Sequence, residues 1–184
     1  QIVLCAILFV VWQMASGTLV PKFFVSKPTL IFERLLEWTL DGSLFFHMGI
    51  TAAEAFLGFV VGGTLGTLVG IALGRSQFFG ELLNPFIMAL YSLPKVALAP
   101  LFILWLGIGI EMKVALTATI VFFLVFLNTY TGVRGVSREM VAIISLMGAN
   151  ERHILTKVVL PSAFTWVFAG LRISAPYALI GAIV

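Results

Sequence analysis

Long apolar runs separated by short polar segments dominate this sequence. A helix needs about 20 apolar residues to cross the hydrocarbon core of a bilayer. Five runs approach or exceed that length, at residues 2–20, 55–74, 82–110, 114–133 and 158–184. We therefore predict an all-α, polytopic bundle of about five transmembrane helices that forms one membrane domain over residues 1–184.

The third run is too long for one regular span, and Pro94, Lys95 and Pro100 interrupt it. Proline removes a backbone donor and kinks a helix. Within lipid, such a break is tolerated only where protein or water satisfies the freed carbonyl groups. We predict one broken span that faces the protein interior near residues 92–100.

The polar segments between the apolar runs indicate how the chain is oriented in the membrane. Residues 21–49 are charged, and their middle part, 30–40, has the pattern of an amphipathic helix at the membrane interface. The longest compact polar segment, at 134–157, is the better candidate for the cytoplasmic side. The count of basic residues supports this orientation only weakly, five against four. The two sets are Arg75, Arg134, Arg138, Arg152 and Lys157 on one side, and Lys22, Lys27, Arg34 and Lys113 on the other.

The composition indicates that most of the surface of this chain contacts lipid rather than water. Hydrophobic residues make up 61% of the chain and charged residues 10%, with a mean hydropathy of +1.14. Soluble domains carry about 25% charged residues. The formal charge of +3 comes from scattered cations without a basic patch, so we expect no nucleic acid partner. Cys5, His47 and His153 are isolated, and we expect no metal and no cofactor. The chain begins and ends inside apolar runs, so we expect a fragment truncated at both ends.

The second run carries five glycines spaced four residues apart. Residues at that spacing lie on one stripe of a helix, and side-chain-free positions let another backbone approach closely. We interpret the stripe as a helix-packing surface, with a pore-lining role as the alternative. The glycines are Gly58, Gly62, Gly66, Gly70 and Gly74.

The polar segment 137–161 has a distinct internal pattern. It predicts a short helix, a break at Gly148, a second amphipathic helix and then a membrane span that starts at Pro161. Glycine can take the left-handed conformation that ends a helix, and proline fits a first helical turn. Such a helix–turn–helix on the cytoplasmic face offers a surface to a partner, and the alternative is an ordinary loop.

This segment resembles the coupling motif of binding-protein-dependent ABC importer permeases. That motif is Glu-Ala-Ala, three residues, Gly, nine residues, Ile, one residue, then Leu-Pro. Gly148, Val158, Leu160 and Pro161 stand at those spacings, but Ala142 replaces the acidic residue of the triplet. The resemblance implies contact with an ATPase subunit through Ala142, Ser145, Gly148, Ala149, Asn150, Leu160 and Pro161.

Other segments resemble the sulfonate, taurine and nitrate branch of those permeases. They are Ser-Leu-Pro-Lys-Val-Ala-Leu-Ala-Pro at 92–100, Leu-Trp-Leu-Gly-Ile-Gly at 104–109, Leu-Asn-Thr at 127–129, Gly-Val-Arg at 132–134 and the residues around Gly170 and Gly181. The resemblance implies a type I importer in the inner membrane that moves a small solute, such as a sulfonate, taurine or nitrate. It also implies three partners besides the bilayer: an ABC ATPase, an extracytoplasmic solute-binding protein and a second, identical permease subunit.

Charged side chains within spans are functional candidates by default. Lys95 and Arg172, with Pro94 and Pro100, are the candidate pathway residues, although Arg172 could equally pair with a carbonyl or an acidic group. We expect Glu54 to reach water by snorkelling. No Walker loop and no protease-type Ser–His or paired-Asp set is present, so an enzyme is disfavoured. The competing interpretation is a secondary transporter or channel, whose broken helices are also compatible with residues 92–100.

Overall fold

The computed structural model describes residues 1–19, 21 and 23–184, except for the side chain of Arg138. These residues fold into helices joined by short turns, so the all-α prediction is confirmed. A 3-10 turn at Lys95–Leu98 and a π-helical turn at Leu155–Val159 supplement the α-helices. In chain order the helices are α1 (Ile2–Ala15), α2 (Pro28–Leu40), α3 (Ser43–Arg75), α4 (Gln77–Ser92), α5 (Ala99–Leu106), α6 (Ile110–Arg134), α7 (Arg138–Leu146), α8 (Glu151–Ile154) and α9 (Leu160–Ile183).

Three helical segments of the described chain are long and apolar enough to cross a membrane: Ser43–Arg75, Ile110–Arg134 and Glu151–Ile183. Gln77–Ser92 and Lys95–Leu106 give a fourth crossing if the pair, which is bent by 81°, counts as one span. The number of five spans is therefore not confirmed.

The difference lies in the first predicted span. Helix α1 has 14 residues, or about 21 Å at a rise of 1.5 Å per residue, which is shorter than the hydrocarbon core of about 30 Å. It ends at Ala15, where the Ser16 backbone turns to an extended conformation. The predicted end of that span at Val20, and Lys22 in the basic-residue count, lie outside the described residues.

The second span begins earlier than the apolar run predicts. Helix α3 starts at Ser43, directly after Gly42, whose φ is +80°. The Asp41 carboxylate accepts a hydrogen bond from the Ser43 backbone N–H at 2.8 Å and so satisfies a donor of the first helical turn. Local capping, rather than hydropathy, sets this helix start.

Contacts divide the chain into two units, residues 1–50 and 51–184. In the first unit, the Gln13 amide donates to the Thr29 hydroxyl at 3.1 Å and so joins α1 to α2. The buried Ser16 hydroxyl donates to the Val25 carbonyl at 2.5 Å. No residue of α1 or α2 is buried among those described, and their apolar side chains suit contact with lipid.

In the second unit, α6 lies between the glycine stripe of α3 and the small residues of α9. A Cβ atom added to Gly62 would lie 2.3 Å from the Ala118 carbonyl oxygen, so α3 and α6 are in backbone contact. On the other side, a Cβ atom on Gly170 of α9 would lie 3.1 Å from the Val125 Cα atom. The largest fully buried side chains of the unit are all on α6 or α9: Phe126, Leu116, Val121, Val125, Thr117, Thr129 and Ser174.

The last span does not begin at Pro161, which corrects the sequence prediction. Helix α8, the π-helical turn and α9 form one helical segment, Glu151–Ile183. Proline cannot donate a backbone hydrogen bond within a helix, and the wider π-helical turn directly before it accommodates that loss. A single rigid element therefore connects the polar loop to the membrane span.

Candidate functional site

The polar loop contains a short helix, a glycine turn and the start of the last long helix. The Ser137 hydroxyl caps α7 by accepting from the Met140 N–H at 3.2 Å. Gly148 has a φ of +86°, the left-handed conformation that ends a helix cheaply only at glycine. The Asn150 side chain then accepts from the His153 N–H at 2.9 Å and caps α8. Sequence and local hydrogen bonds thus fix the shape of this loop.

The loop presents an apolar surface that nothing in the described chain covers. Leu146 is 89% exposed and Met147 81% exposed, and Met140 and Ile143 are also exposed. Of the residues predicted to contact an ATPase, Ala142, Ser145, Gly148, Asn150 and Pro161 are exposed, whereas Ala149 and Leu160 are half-buried. The loop therefore has the exposed face that its predicted role requires.

Two ion pairs hold the loop and the α3–α4 turn at one end of the second unit. Arg75 contacts Glu151 at 3.2 Å, and Arg134 contacts Glu81 at 3.4 Å. These contacts place Arg75, Arg134 and Arg152 at the same end, as the alternation of spans predicts. The side chain of Arg138, which belongs to the same predicted set, lies outside the described residues.

The predicted break in the third run is present, with Lys95 beside it. Most of residues 92–100 are exposed, however, so the prediction that they face the protein interior does not hold within this chain, because the bend at Pro94 leaves them at the surface of this unit. Helix α4 ends at Ser92, and the chain resumes at Lys95 after Pro94. The Lys95 ammonium donates to the Tyr91 carbonyl and lies 4.2 Å from the centre of the Tyr91 ring and 5.0 Å from that of Phe123. Pro100 lies in the first turn of α5 and is exposed. The chain bends at Pro94, and the bend places the Lys95 ammonium at the surface of this unit.

A cavity of about 560 Å³ opens beside Lys95. Its walls come from three parts of the second unit, namely the α4–α5 bend, the middle of α6 and the end of α9. They comprise Tyr91, Ser92, Lys95, Val96, Ile120, Phe123, Leu124, Tyr177 and Ile180. The cavity is mostly apolar, with Lys95 as its only charged group among the described residues.

Arg172 lies on the side of α9 that faces away from α6. The buried stripe of α9 includes Gly170 and Ser174, and a residue two positions from each points to the opposite side of a helix. Arg172 is exposed, and its guanidinium has no hydrogen bond or ion pair within the described residues. Gly170 packs beside Leu124 and Val125, and Lys95 lies over Phe123, so the two cations occupy one level of the bundle.

Comparison with known proteins decides the family. Residues 62–184, two thirds of the chain, match the family described as Binding-protein-dependent transport system inner membrane component. A protein named as an aliphatic sulfonates transport permease, SsuC, of Bacillus subtilis is 33% identical over 100% of this chain and 67% of its own length. The chain belongs to this permease family. It is accordingly an integral membrane protein of the ABC importer permease group, and the predicted resemblance is confirmed.

Other members of the permease family are named for different substrates. The formylaminopyrimidine transport permease ThiX of Halalkalibacterium halodurans is 32% identical over 96% of this chain and 70% of its own length. The taurine transport system permease TauC of Escherichia coli is 29% identical over 92% of this chain and 64% of its own length. Relatives at similar identity thus carry chemically unlike solutes, and membership alone does not identify the substrate of this permease.

One buried ion pair was not expected from the sequence. From its position near the end of a span, Glu54 was expected to reach water, but it does not. Its side chain is 4% exposed and accepts from the Lys113 ammonium at 3.3 Å, across α3 and α6. The signal was available, because both residues are charges at the same end of neighbouring spans. The pairing itself depends on how closely the glycine stripe brings the two helices together.

No group of three or more His, Cys, Asp or Glu side chains that could hold a metal occurs in the part of the chain that the structure describes. His47 and His153 are both exposed.

Proposed function

We propose that this permease is the membrane-spanning subunit of an ABC importer that carries a small anion across the inner membrane. ATP hydrolysis takes place on a separate ATPase subunit on the cytoplasmic side. The observation that carries this proposal is the geometry of residues 137–161: an exposed helix, a left-handed glycine and a continuous helix that enters the membrane. A secondary carrier has no need of such a loop.

The exposed apolar side of α7 is the proposed docking surface for the ATPase. Docked apolar side chains such as Leu146 and Met147 would lose water contact, which favours association. Ala142, Ser145 and Asn150 lie on the same exposed loop and complete the proposed contact. Movement of the ATPase would pull on the loop, and the helical segment Glu151–Ile183 would carry that movement into the membrane.

The ion pairs at this end support the proposed orientation. Glu151 at the start of the last helix is paired with Arg75, and Glu81 on α4 is paired with Arg134. The ends of α3, α4 and α6 therefore lie at the same end of the unit as the loop. This end carries the basic residues that the cytoplasmic side of a membrane protein favours. The solute-binding protein would approach the opposite end, where Glu54 and Lys113 lie. If α1 and the bent pair α4–α5 each cross the bilayer, the number of spans is five.

An anionic substrate is proposed from the two cations near the middle of the bundle. Neither Lys95 nor Arg172 forms an ion pair with a carboxylate within the described residues. An uncompensated charge at that depth is costly, and a bound anion or a water-filled pathway would lower the cost. Relatives named for sulfonates and taurine are compatible with an anion.

A second copy of the chain is proposed to complete the pathway. Arg172 projects from the uncovered side of α9, where Phe168 and Ile173 are also exposed. Lipid would solvate the apolar neighbours but not a guanidinium roughly 18 Å along the helix from Leu160 at a rise of 1.5 Å per residue. A facing subunit and an aqueous pathway between the copies would accommodate both.

The source of energy tests the proposal. The complex with its ATPase and binding protein is reconstituted in proteoliposomes, and uptake of the radiolabelled solute that the binding protein carries is measured. We expect uptake to require ATP on the side of the ATPase and to persist when ionophores collapse all ion gradients. Uptake that ignores ATP and stops with the ionophores would establish a secondary carrier.

A further inference from the structure

The cavity beside Lys95 contains a cation with unused hydrogen-bonding capacity. In an unbroken helix, the Tyr91 carbonyl would accept from the backbone N–H of Lys95, four residues later. The bend at Pro94 removes that bond, and the Lys95 ammonium binds the freed carbonyl instead. An ammonium has three N–H donors, so two remain for a ligand.

Among the described residues, Lys95 forms no ion pair that would neutralise its positive charge. Glu54, Glu81 and Glu151 are each bound to another cation, at the ends of the helices. The rings of Tyr91 and Phe123 stabilise the ammonium through their faces. Such contacts do not neutralise the charge, so an anion that enters the cavity meets an attractive and partly desolvated cation.

The walls of the cavity define the kind of anion that fits. Its volume of about 560 Å³ lies within the range of about 300–1,000 Å³ typical of small-molecule sites. Ile120, Leu124 and Ile180 supply apolar walls, and the Phe123 and Tyr177 rings add flat surfaces. An inorganic anion would leave these walls in contact with water, whereas an apolar body would cover them.

The hydroxyl groups of Ser92 and Tyr177, which both line the cavity, have different roles. The Ser92 hydroxyl already donates to the Met88 carbonyl at 2.6 Å, so it has no proton to offer an anion. The Tyr177 hydroxyl has no hydrogen bond among the described residues, and Tyr177 is 46% exposed. Tyr177 can therefore supply a donor as well as a ring surface.

We propose that the cavity beside Lys95 binds an organic anion, whose sulfonate or carboxylate group contacts the Lys95 ammonium and whose apolar body packs on Phe123 and Tyr177. This inference rests on the proposed function, because it locates within the permease a site for the transported solute. It also gives the bend at Pro94 a role, since the bend places the ammonium in the cavity.

The test is direct binding to the purified complex of permease and ATPase in nanodiscs, by calorimetric titration. Benzenesulfonate is the probe, uncharged benzenesulfonamide is the control for charge, and methanesulfonate is the control for the apolar body. We expect benzenesulfonate to bind at least about tenfold more tightly than either control, as one charge-assisted hydrogen bond or one buried ring can provide.

Variants of Lys95 separate binding from capping. Lys95→Gln keeps an N–H donor for the Tyr91 carbonyl but removes the charge, and we expect at least about a tenfold loss of benzenesulfonate affinity. Lys95→Arg keeps the charge and should bind within a few-fold of the wild type. If Lys95→Gln does not yield a monodisperse complex, Tyr177→Leu is used, with a larger loss of affinity expected for benzenesulfonate than for methanesulfonate, which has no ring to pack; equal losses would contradict the proposed packing.

The outcomes distinguish this inference from the proposed function. The inference is wrong if the wild type binds no probe, if it does not prefer benzenesulfonate over benzenesulfonamide, or if Lys95→Gln binds as well as the wild type. In any of those cases, ATP-driven uptake by the wild-type complex in the same preparation would leave the proposed function intact. Loss of ATP dependence with an intact binding preference would reject the importer and keep the site.

Discussion

The close packing of α3 on α6 leads to a sharp prediction for Gly62. An alanine Cβ atom there would lie 2.3 Å from the Ala118 carbonyl oxygen and 2.9 Å from the Val121 Cβ atom. Both atoms belong to or adjoin the backbone of a buried helix and cannot rotate away. The helices would have to separate by about 1 Å, and overpacking of this kind costs about 1–3 kcal/mol.

Gly49 provides a matched control on the same helix. An alanine Cβ atom at Gly49 meets nothing within 4 Å. Because alanine loses less backbone entropy than glycine when it joins a helix, Gly49→Ala should stabilise by about 0.5–1 kcal/mol. Because the same entropic gain applies at Gly62, the two variants should differ by the overpacking cost alone, roughly 1–3 kcal/mol, with Gly62→Ala the less stable.

The assay is thermal unfolding of the purified permease complex, followed by the fraction that remains monodisperse after heating. For chains of this size, 1 kcal/mol corresponds to a shift of about 2–4 °C. Gly62→Ala should therefore unfold roughly 2–12 °C below Gly49→Ala. Equal midpoints, or a higher midpoint for Gly62→Ala, would refute the conclusion that the glycine stripe lies against α6.

Three further predictions concern buried and isolated polar groups. Thr129, whose buried hydroxyl has no hydrogen-bond partner among the described residues, should tolerate Thr129→Val in the same thermal assay with no loss of stability, because the apolar replacement has the same shape; a drop of several degrees would contradict this. Lys113→Met should destabilise by about 2–3 kcal/mol and Glu54→Gln by only about 1 kcal/mol, because the first change leaves a buried carboxylate unpaired; the reverse order would show that the pair is solvated. Arg172→Ala should lower substrate-stimulated ATP hydrolysis several-fold and leave basal hydrolysis unchanged, as expected for a residue that faces the pathway; equal effects would indicate a structural role.

Hydropathy and proline placement predicted much of the fold. Helices α3 and α6 contain the predicted apolar runs, because a chain in lipid must satisfy its backbone groups within helices. The bend between α4 and α5 lies at Pro94, where the sequence predicted it. Helix ends were less predictable. Asp41 extends α3 by capping it, and a π-helical turn keeps the last helix intact at Pro161. Such ends depend on single hydrogen bonds that a hydropathy pattern does not contain.

Some features of the candidate site were also predictable from the sequence, and others were not. Gly148 was predictable, because a left-handed turn strongly favours glycine, and Lys95 was noticeable as a charge in an apolar run. The cavity around Lys95 was not predictable from the sequence. Phe123 and Tyr177 look like ordinary span residues, and only the packing of α6 and α9 brings their side chains to the α4–α5 bend.

The docking role of the loop is tested by how tightly ATP hydrolysis is coupled to transport. Gly148 has a φ of +86° and open space around it, so Gly148→Val would distort the turn without a steric clash elsewhere. The measurement is ATP hydrolysed per solute transported, in proteoliposomes containing the complex and the loaded binding protein. We predict that the Gly148→Val complex inserts and hydrolyses ATP but loses uptake at least about tenfold, since a left-handed β-branched residue is strongly disfavoured. Uptake by Gly148→Val at the wild-type ratio to hydrolysis would contradict the account.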